Sequence, residues 1–165
     1  MAHKDKIKWD KKYKENPKLL ISRDPSTKLA SILAKVRGGK ALDIACGTGR
    51  NSIYMADNNL KVDSLDISQV AIDTLIQKNH PNITAKTEDL EGFIPDKNSY
   101  DVIVMTNYLD RDIIPHLSNA LKNGGYLVIE TYMDHINNTK PNSNPDFLLK
   151  KDELKSFLNY PLNLV

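Results

Sequence analysis

The stretch ALDIACGTGR, Ala41–Arg50, limits what this chain can fold into more than any other. KALDIA is apolar without alternation, which suits a strand covered on both faces. It runs into a turn containing Gly47 and Gly49, and RNSIYMADN then carries a short helical pattern. A strand that passes through a glycine turn into a helix is the opening unit of an open parallel sheet, with the turn at the carboxyl end of its strand. Backbone without Cβ atoms in such a turn can approach a bound molecule closely.

The rest of the chain repeats the alternation. SRDPSTKLASILAKVRGG reads as a helix before that strand, with Asp24 as N-cap and Pro25 at the first helical position. Leu29, Ile32, Leu33 and Val36 form its apolar face. LKVDSLD, NITAKT, SYDVIVMT and GYLVIETYM read as four further strands. Between them lie QVAIDTLIQKN, capped by Ser68, and IIPHLSNALK, stopped by Asn123-Gly124-Gly125. DHINNTKPNSNPD is a long loop, and KKDELKSFLNY is a last helix. The expected fold is α/β, a doubly wound, mainly parallel sheet in one domain over 23–165, preceded by a lid or arm over 1–22. The chain stops at PLNLV, where another strand would begin. The fifth strand is therefore expected to be an apolar edge, covered by a homodimer or by a further tail unless the protein is a natural short form.

Composition excludes several function classes. Lys+Arg 23 against Asp+Glu 21 gives a net charge of +2, too little to imply a polyanion partner. AHKDKIKWDKKYK holds six lysines but no arginine and only two aromatics, so it reads as a solvated or frayed segment rather than a nucleic-acid arm. No apolar stretch reaches transmembrane length, no signal-peptide core follows the start, and the single Cys46 allows no intrachain disulfide. These features point to the cytoplasm. No two histidines have helix-ligand spacing, so no metal is expected.

The glycine turn separates the ligand classes. A P-loop requires Gly-Lys-Ser/Thr, and here Arg50-Asn51-Ser52 follows instead. A dinucleotide turn requires a third small residue, where this chain has Ile53 or Tyr54. Asp43 would also stand close to the phosphates, which is electrostatically poor. A cationic ligand without phosphate fits better. Asp66 ends the next strand, placed to accept hydrogen bonds from ribose hydroxyls, and Ile67 can lie against an adenine. Glu88-Asp89 ends the third strand, where Asp89 can accept from an adenine amino group. Three acidic strand ends on one sheet edge suit an amine, a sulfonium and an adenosine in one molecule.

With those residues in place, the chain resembles the class I S-adenosylmethionine-dependent methyltransferases, and among them the small bacterial tellurite-resistance type. The similarity is carried by WDKKY, ALDIACGTGRNSIYMA, VDSLDIS, TEDLE, YDVIVMTNYLDRDIIPHLSNALKNGGYLVIETY and NPDFLLKKDEL. It implies a Rossmann-like methyltransferase core with S-adenosyl-L-methionine as cofactor and S-adenosyl-L-homocysteine as product. It implies that Asp43, Ala45, Gly47 and Gly49, with Cys46 and Arg50 in the same turn, line the methionine moiety. Asp66 and Ile67 would hold ribose and adenine, and Asp89 and Leu90 would flank the adenine. Thr106, Asn107 and Tyr108 mark where acceptor meets sulfonium. Trp9, Tyr13 and Arg23 are cast as lid residues. The family sheet ends in an antiparallel hairpin, and this chain stops before one could form.

The reaction implied is in-line displacement of the methyl group by a small-molecule acceptor. A thiol or a selenium or tellurium species needs little base, whereas an amine or hydroxyl wants one. Asn107, Tyr108 and His135 are the catalytic candidates, His135 lying just past the fifth strand. Arg111 would favour an anionic acceptor, and Tyr132 and Phe147 would close the far side of the pocket. His116 reads as a helix-packing residue. The alternatives are a nucleic-acid or protein methyltransferase, and a binding protein without catalysis. Against the former, the fourth strand ends in TNYL rather than Asn-Pro-Pro-aromatic.

Overall fold

The computed structural model describes residues 2–138 and 144–158. Five strands form one parallel sheet: β1 (Gly39–Ile44), β2 (Leu60–Asp66), β3 (Ile83–Thr87), β4 (Tyr100–Thr106) and β5 (Leu121–Glu130). Their spatial order is β3-β2-β1-β4-β5. The order reverses between β1 and β4, and ligands of open α/β sheets bind at the carboxyl edge beside that reversal. Six helices accompany the sheet among the described residues: α1 (Ala2–Glu15), α2 (Thr27–Leu33), α3 (Arg50–Asp57), α4 (Gln69–Ile76), α5 (Ile114–Ala120) and α6 (Glu153–Phe157).

The uninterrupted apolar strands are explained by cover on both faces. Along β4, Ile103 and Met105 join Leu42, Ile44, Ile114 and Leu117 on one side. Val102 and Val104 join Leu29, Leu33, Met55 and Val62 on the other. This is the doubly wound core expected from sequence. No strand pairs with the outer edge of β5 among the described residues, and the stretch from 159 onward, where a sixth strand was expected to begin, lies outside them.

Three local expectations are corrected. The lysine-rich start is a 14-residue helix rather than a frayed segment. Its lysines remain at the surface, while Tyr13 on the opposite side is buried against the sheet edge. The N-cap of α2 is Ser26, whose Oγ accepts from the Leu29 N–H at 3.3 Å, not Asp24. Asp24 instead offers its carbonyl to Arg50, 3.1 Å from Nη1. The third concerns α5, which ends at Ala120, because Leu121 already pairs with Tyr100. Between the pairs Tyr100–Leu121 and Val102–Tyr126 the strand bulges, and Gly124 takes φ +80° there. The glycines expected to stop a helix therefore shape a bulge at the start of β5.

Candidate active site at the carboxyl edge

The turn after β1 is built on a buried polar chain. Asp43, 1% exposed, accepts a 2.6 Å hydrogen bond from Ser52 Oγ through Oδ2. Ser64 Oγ donates to Ser52 Oγ at 2.8 Å, tying β2 into the same chain. Asp43 Oδ1 is buried with no hydrogen-bond partner among the described residues. Burial pushes the Asp43 carboxyl up to about 7; the Ser52 hydroxyl opposes the shift and the charge of Asp66 adds to it. An unpaired buried carboxylate oxygen is costly, and a cationic donor at the site would relieve that cost.

Asp66 organises the next part of the edge. Its Oδ2 accepts from the Gly47 N–H and its Oδ1 from the Ser68 N–H, each at 2.8 Å. Burial raises its carboxyl, while those two backbone donors oppose the shift. Each oxygen keeps a further lone pair for a ligand hydroxyl. Gly47 and Gly49 adopt φ of +55° and +83°. A Cβ on Gly49 would fall 2.4 Å from Leu75 Cδ1, and one on Gly47 would fall 2.8 Å from Tyr13 Oη. Both positions favour glycine by backbone conformation, and at Gly49 a Cβ would also have to displace the buried Leu75. Burial pushes the Cys46 thiol well up, with Asp43 and Asp66 adding, so it stays a neutral side chain packed under the turn.

Helix α1 lies across this edge. Asp10 Oδ1 accepts from Ser68 Oγ at 2.6 Å and from the Val70 N–H at 3.2 Å, fastening the helix to the start of α4. One turn on, Trp9 and Tyr13 stack at 6.2 Å between centroids, with Lys12 Nζ 4.2 Å from the indole centroid. Burial raises the Tyr13 hydroxyl, and the charges of Asp66 and nearby Arg23 act on it in opposite senses. Of the three lid candidates, Tyr13 reaches the glycine turn at Gly47, Trp9 packs on Tyr13, and the charge of Arg23 acts on the Tyr13 hydroxyl. The sequence reading did not find Asp10, because nothing in a lysine-rich helix marks one aspartate as a cross-element cap.

At the end of β4 the backbone is strained in the same manner as at the end of β1. Asn107 has φ +56° and Ala45 has φ +52°, both left-handed and both at the sheet's carboxyl edge. Asparagine tolerates this conformation better than alanine, and such residues persist where surrounding contacts impose them. A ring of contacts holds this corner. Asn51 Nδ2 donates to Thr106 Oγ1 at 3.1 Å, and Asn51 Oδ1 accepts from the Ser26 N–H at 3.0 Å. Ser26 Oγ donates to Glu130 Oε2 at 2.7 Å, and the Glu130 carbonyl accepts from the Asn107 N–H at 2.8 Å. Sequence reasoning missed Asn51, Ser52, Ser26 and Glu130. The rule that found Asp43 and Asp66, an acid at the carboxyl end of a strand, finds Glu130 when applied to β5.

The remaining candidates divide. Ile67 is half-buried beside Asp66, and Leu90 is buried. Asp89 is exposed, and its Oδ1 accepts from the Glu91 N–H at 3.0 Å, a local turn that leaves its other oxygen outward. Tyr108 is half-buried and its hydroxyl reaches Asp110 at 3.3 Å. Arg111, expected to meet an anionic acceptor, is engaged elsewhere. Its Nε and Nη2 donate to Glu153 at 2.6 and 3.2 Å, and Nη1 and Nη2 donate to the carbonyls of Asp146 and Leu148. The Arg111 bond holds the Glu153 carboxyl below its ordinary range. Arg111 therefore pins the segment before α6 onto the end of β4. His135 is exposed, with Nδ1 accepting from the Asn137 N–H in its own loop. Tyr132 is 36% and Phe147 56% exposed. No group of three or more metal-ligating side chains occurs among the described residues. No helix there is long and apolar enough to cross a membrane.

A family model described as tellurite resistance protein TehB matches residues 4–161. The chain belongs to the TehB family. It is 32% identical over 130 residues to a probable S-adenosyl-L-methionine-dependent methyltransferase TehB of Haemophilus influenzae, covering 72% of this chain and 44% of that protein. It is 33% identical over 111 residues to a ribosomal protein L11 methyltransferase of Campylobacter concisus, covering 62% of this chain and 39% of that protein. The chain thus spans less than half the length of both relatives. The crystal structure of TehB from Haemophilus influenzae superposes with a TM-score of 0.67 at 27% identity, over 81% of this chain and 49% of that one. The match to the TehB model begins at residue 4 and so includes most of α1.

Proposed function

We propose that this chain binds S-adenosylmethionine along the carboxyl edge from β3 to β4 and transfers its methyl group to a small-molecule acceptor. The observation that carries the reading is Asp43 Oδ1, buried and unpartnered among the described residues beside a turn whose two glycines hold positive φ. The donor set fits the cofactor. Asp43 offers a buried negative charge to an ammonium group, Asp66 offers lone pairs to ribose hydroxyls, and Ile67 and Leu90 offer apolar surface to adenine.

When bound, S-adenosylmethionine supplies a methyl group already activated on a sulfonium, so the protein contributes orientation and exclusion of water. Helix α1 supplies the cover, held by Asp10 on Ser68 and by Tyr13 over Gly47. The ring through Thr106, Asn51, Ser26 and Glu130 fixes the β4 and β5 ends against which an acceptor would lie. The test is incubation with methyl-labelled S-adenosylmethionine and thiols, selenite, tellurite and small amines. Label in a small-molecule product, lost in Asp66→Ala, supports the reading. Label confined to protein or nucleic acid, or no transfer at all, overturns it.

A further inference from the structure

Helix α1 covers the glycine turn yet is fastened to the body at few points. Among its described side chains only Tyr13 is buried; Lys6, Trp9 and Asp10 are half-buried and the others face solvent. Among the described residues, its hydrogen bonds to other elements all end on one atom. Asp10 Oδ1 accepts from Ser68 Oγ at 2.6 Å and from the Val70 N–H at 3.2 Å. Val70 lies in the first turn of α4, whose N-cap Ser68 already accepts from the Ala71 N–H at 3.2 Å. Asp10 is therefore a second cap on a helix end that favours negative charge. Burial pushes its carboxyl up, but the Ser68 hydroxyl, the Val70 N–H and the charges of Lys6 and Lys14 together hold it below its ordinary range.

Ser68 joins this clasp to the ribose end of the site. Its N–H donates to Asp66 Oδ1 at 2.8 Å while its hydroxyl serves Asp10. One turn along α1 from Asp10, the Tyr13 hydroxyl stands where a Cβ on Gly47 would meet it at 2.8 Å. With α1 so held, Asp66 is 8% exposed. A ligand seated with its ribose on Asp66 and its amino-acid end at Gly47 lies beneath Tyr13.

We propose that Asp10 is a positioning residue whose clasp on Ser68 and Val70 gates the cofactor site, so that S-adenosylmethionine enters and S-adenosylhomocysteine leaves only while the clasp is broken. This rests on the cofactor reading above and adds to it a rate-setting residue outside the ligand's own contacts. A gate and a binding contact differ kinetically. Loosening a contact speeds dissociation alone, whereas loosening a gate speeds passage in both directions.

The experiment is rapid-mixing binding of S-adenosylhomocysteine to the whole chain. It is followed by the emission of Trp9, the one tryptophan of the sequence and itself a residue of α1, and in parallel by rapid filtration of the labelled ligand. Asp10→Ala is expected to quicken association and dissociation each by roughly 10-fold, as loss of a hydrogen bond to a charged group predicts, with Kd changing less than either rate. Asp10→Asn keeps an acceptor oxygen, so it should fall between Asp10→Ala and wild type, and it serves if the alanine variant fails to fold. Lys6→Ala removes an exposed partner of Asp10 Oδ2 and should leave both rates within about twofold. In the free protein, amide exchange at Val70 should quicken in Asp10→Ala while exchange in β1 and β2 does not. Unaltered rates in both Asp10 variants, or faster dissociation with unaltered association, overturn the gate and leave the cofactor reading standing. Absence of S-adenosylhomocysteine binding to the wild type overturns the cofactor reading and the gate with it, so the two failures are distinguishable.

Discussion

The two halves of the carboxyl edge are built differently. On the glycine-turn side, Asp43, Ser52, Ser64 and Asp66 are all buried, and the bonds among them and to the Gly47 N–H join β1, β2 and the first crossover. At the β4 and β5 ends, Asn51, Thr106 and Ser26 form a buried ring, but Asn107, Glu130, Tyr132 and Phe147 outside it are exposed, and residues 146–153 are held there by Arg111. Buried polar chains fix one geometry, because breaking any link strands a polar group away from water. Exposed walls tolerate change at little cost. One half is therefore suited to a constant ligand and the other to a variable one.

That contrast can be broken most severely at Gly49. Gly49→Ala meets Leu75 and cannot relax its positive φ, so it should lower stability by about 4 kcal/mol and abolish ligand binding together. A thermal melt and a titration check both. Asp43→Asn acts next. The native Asp43 carboxyl, raised to about 7, binds its proton more tightly than the unfolded chain does. Its contribution to stability is fully present below about pH 4 and is lost as the pH rises through about 7. Asp43→Asn should flatten that slope, a difference on the order of 2–3 kcal/mol across the window, read from denaturant midpoints at successive pH values. An ammonium ligand favours the ionised form, so wild-type cofactor affinity should rise over the same window and the variant's should not.

On the acceptor side the expected effects are smaller and local. Arg111→Ala should free residues 145–157, costing about 1–2 kcal/mol, with faster amide exchange there and unchanged exchange in β1 and β2. Global destabilisation equal to that of Gly49→Ala would refute the division. His135→Ala should alter neither stability nor transfer, within about 0.5 kcal/mol.

The same contrast explains how much was legible in the sequence. Strand ends and the glycine turn are local features with strict conformational requirements, so Asp43, Gly47, Gly49 and Asp66 declare themselves. The fold followed from apolar strands alternating with helical patterns. Long-range pairings do not declare themselves. Nothing adjacent to Arg111 reveals Glu153, 42 positions away, and nothing near Asp10 reveals Ser68. The α5–β5 boundary was misplaced because Leu121 suits a helix locally but pairs with Tyr100 in the sheet. Glu130 was overlooked in an apolar strand although it obeys the strand-end rule.

The most direct test of the central claim is a calorimetric titration of S-adenosylmethionine into the wild-type chain, Asp43→Asn and Asp66→Ala. Saturable one-to-one binding to the wild type, weakened in both variants, is the predicted result. No binding to the wild type, or equal affinity in all three proteins, would contradict it.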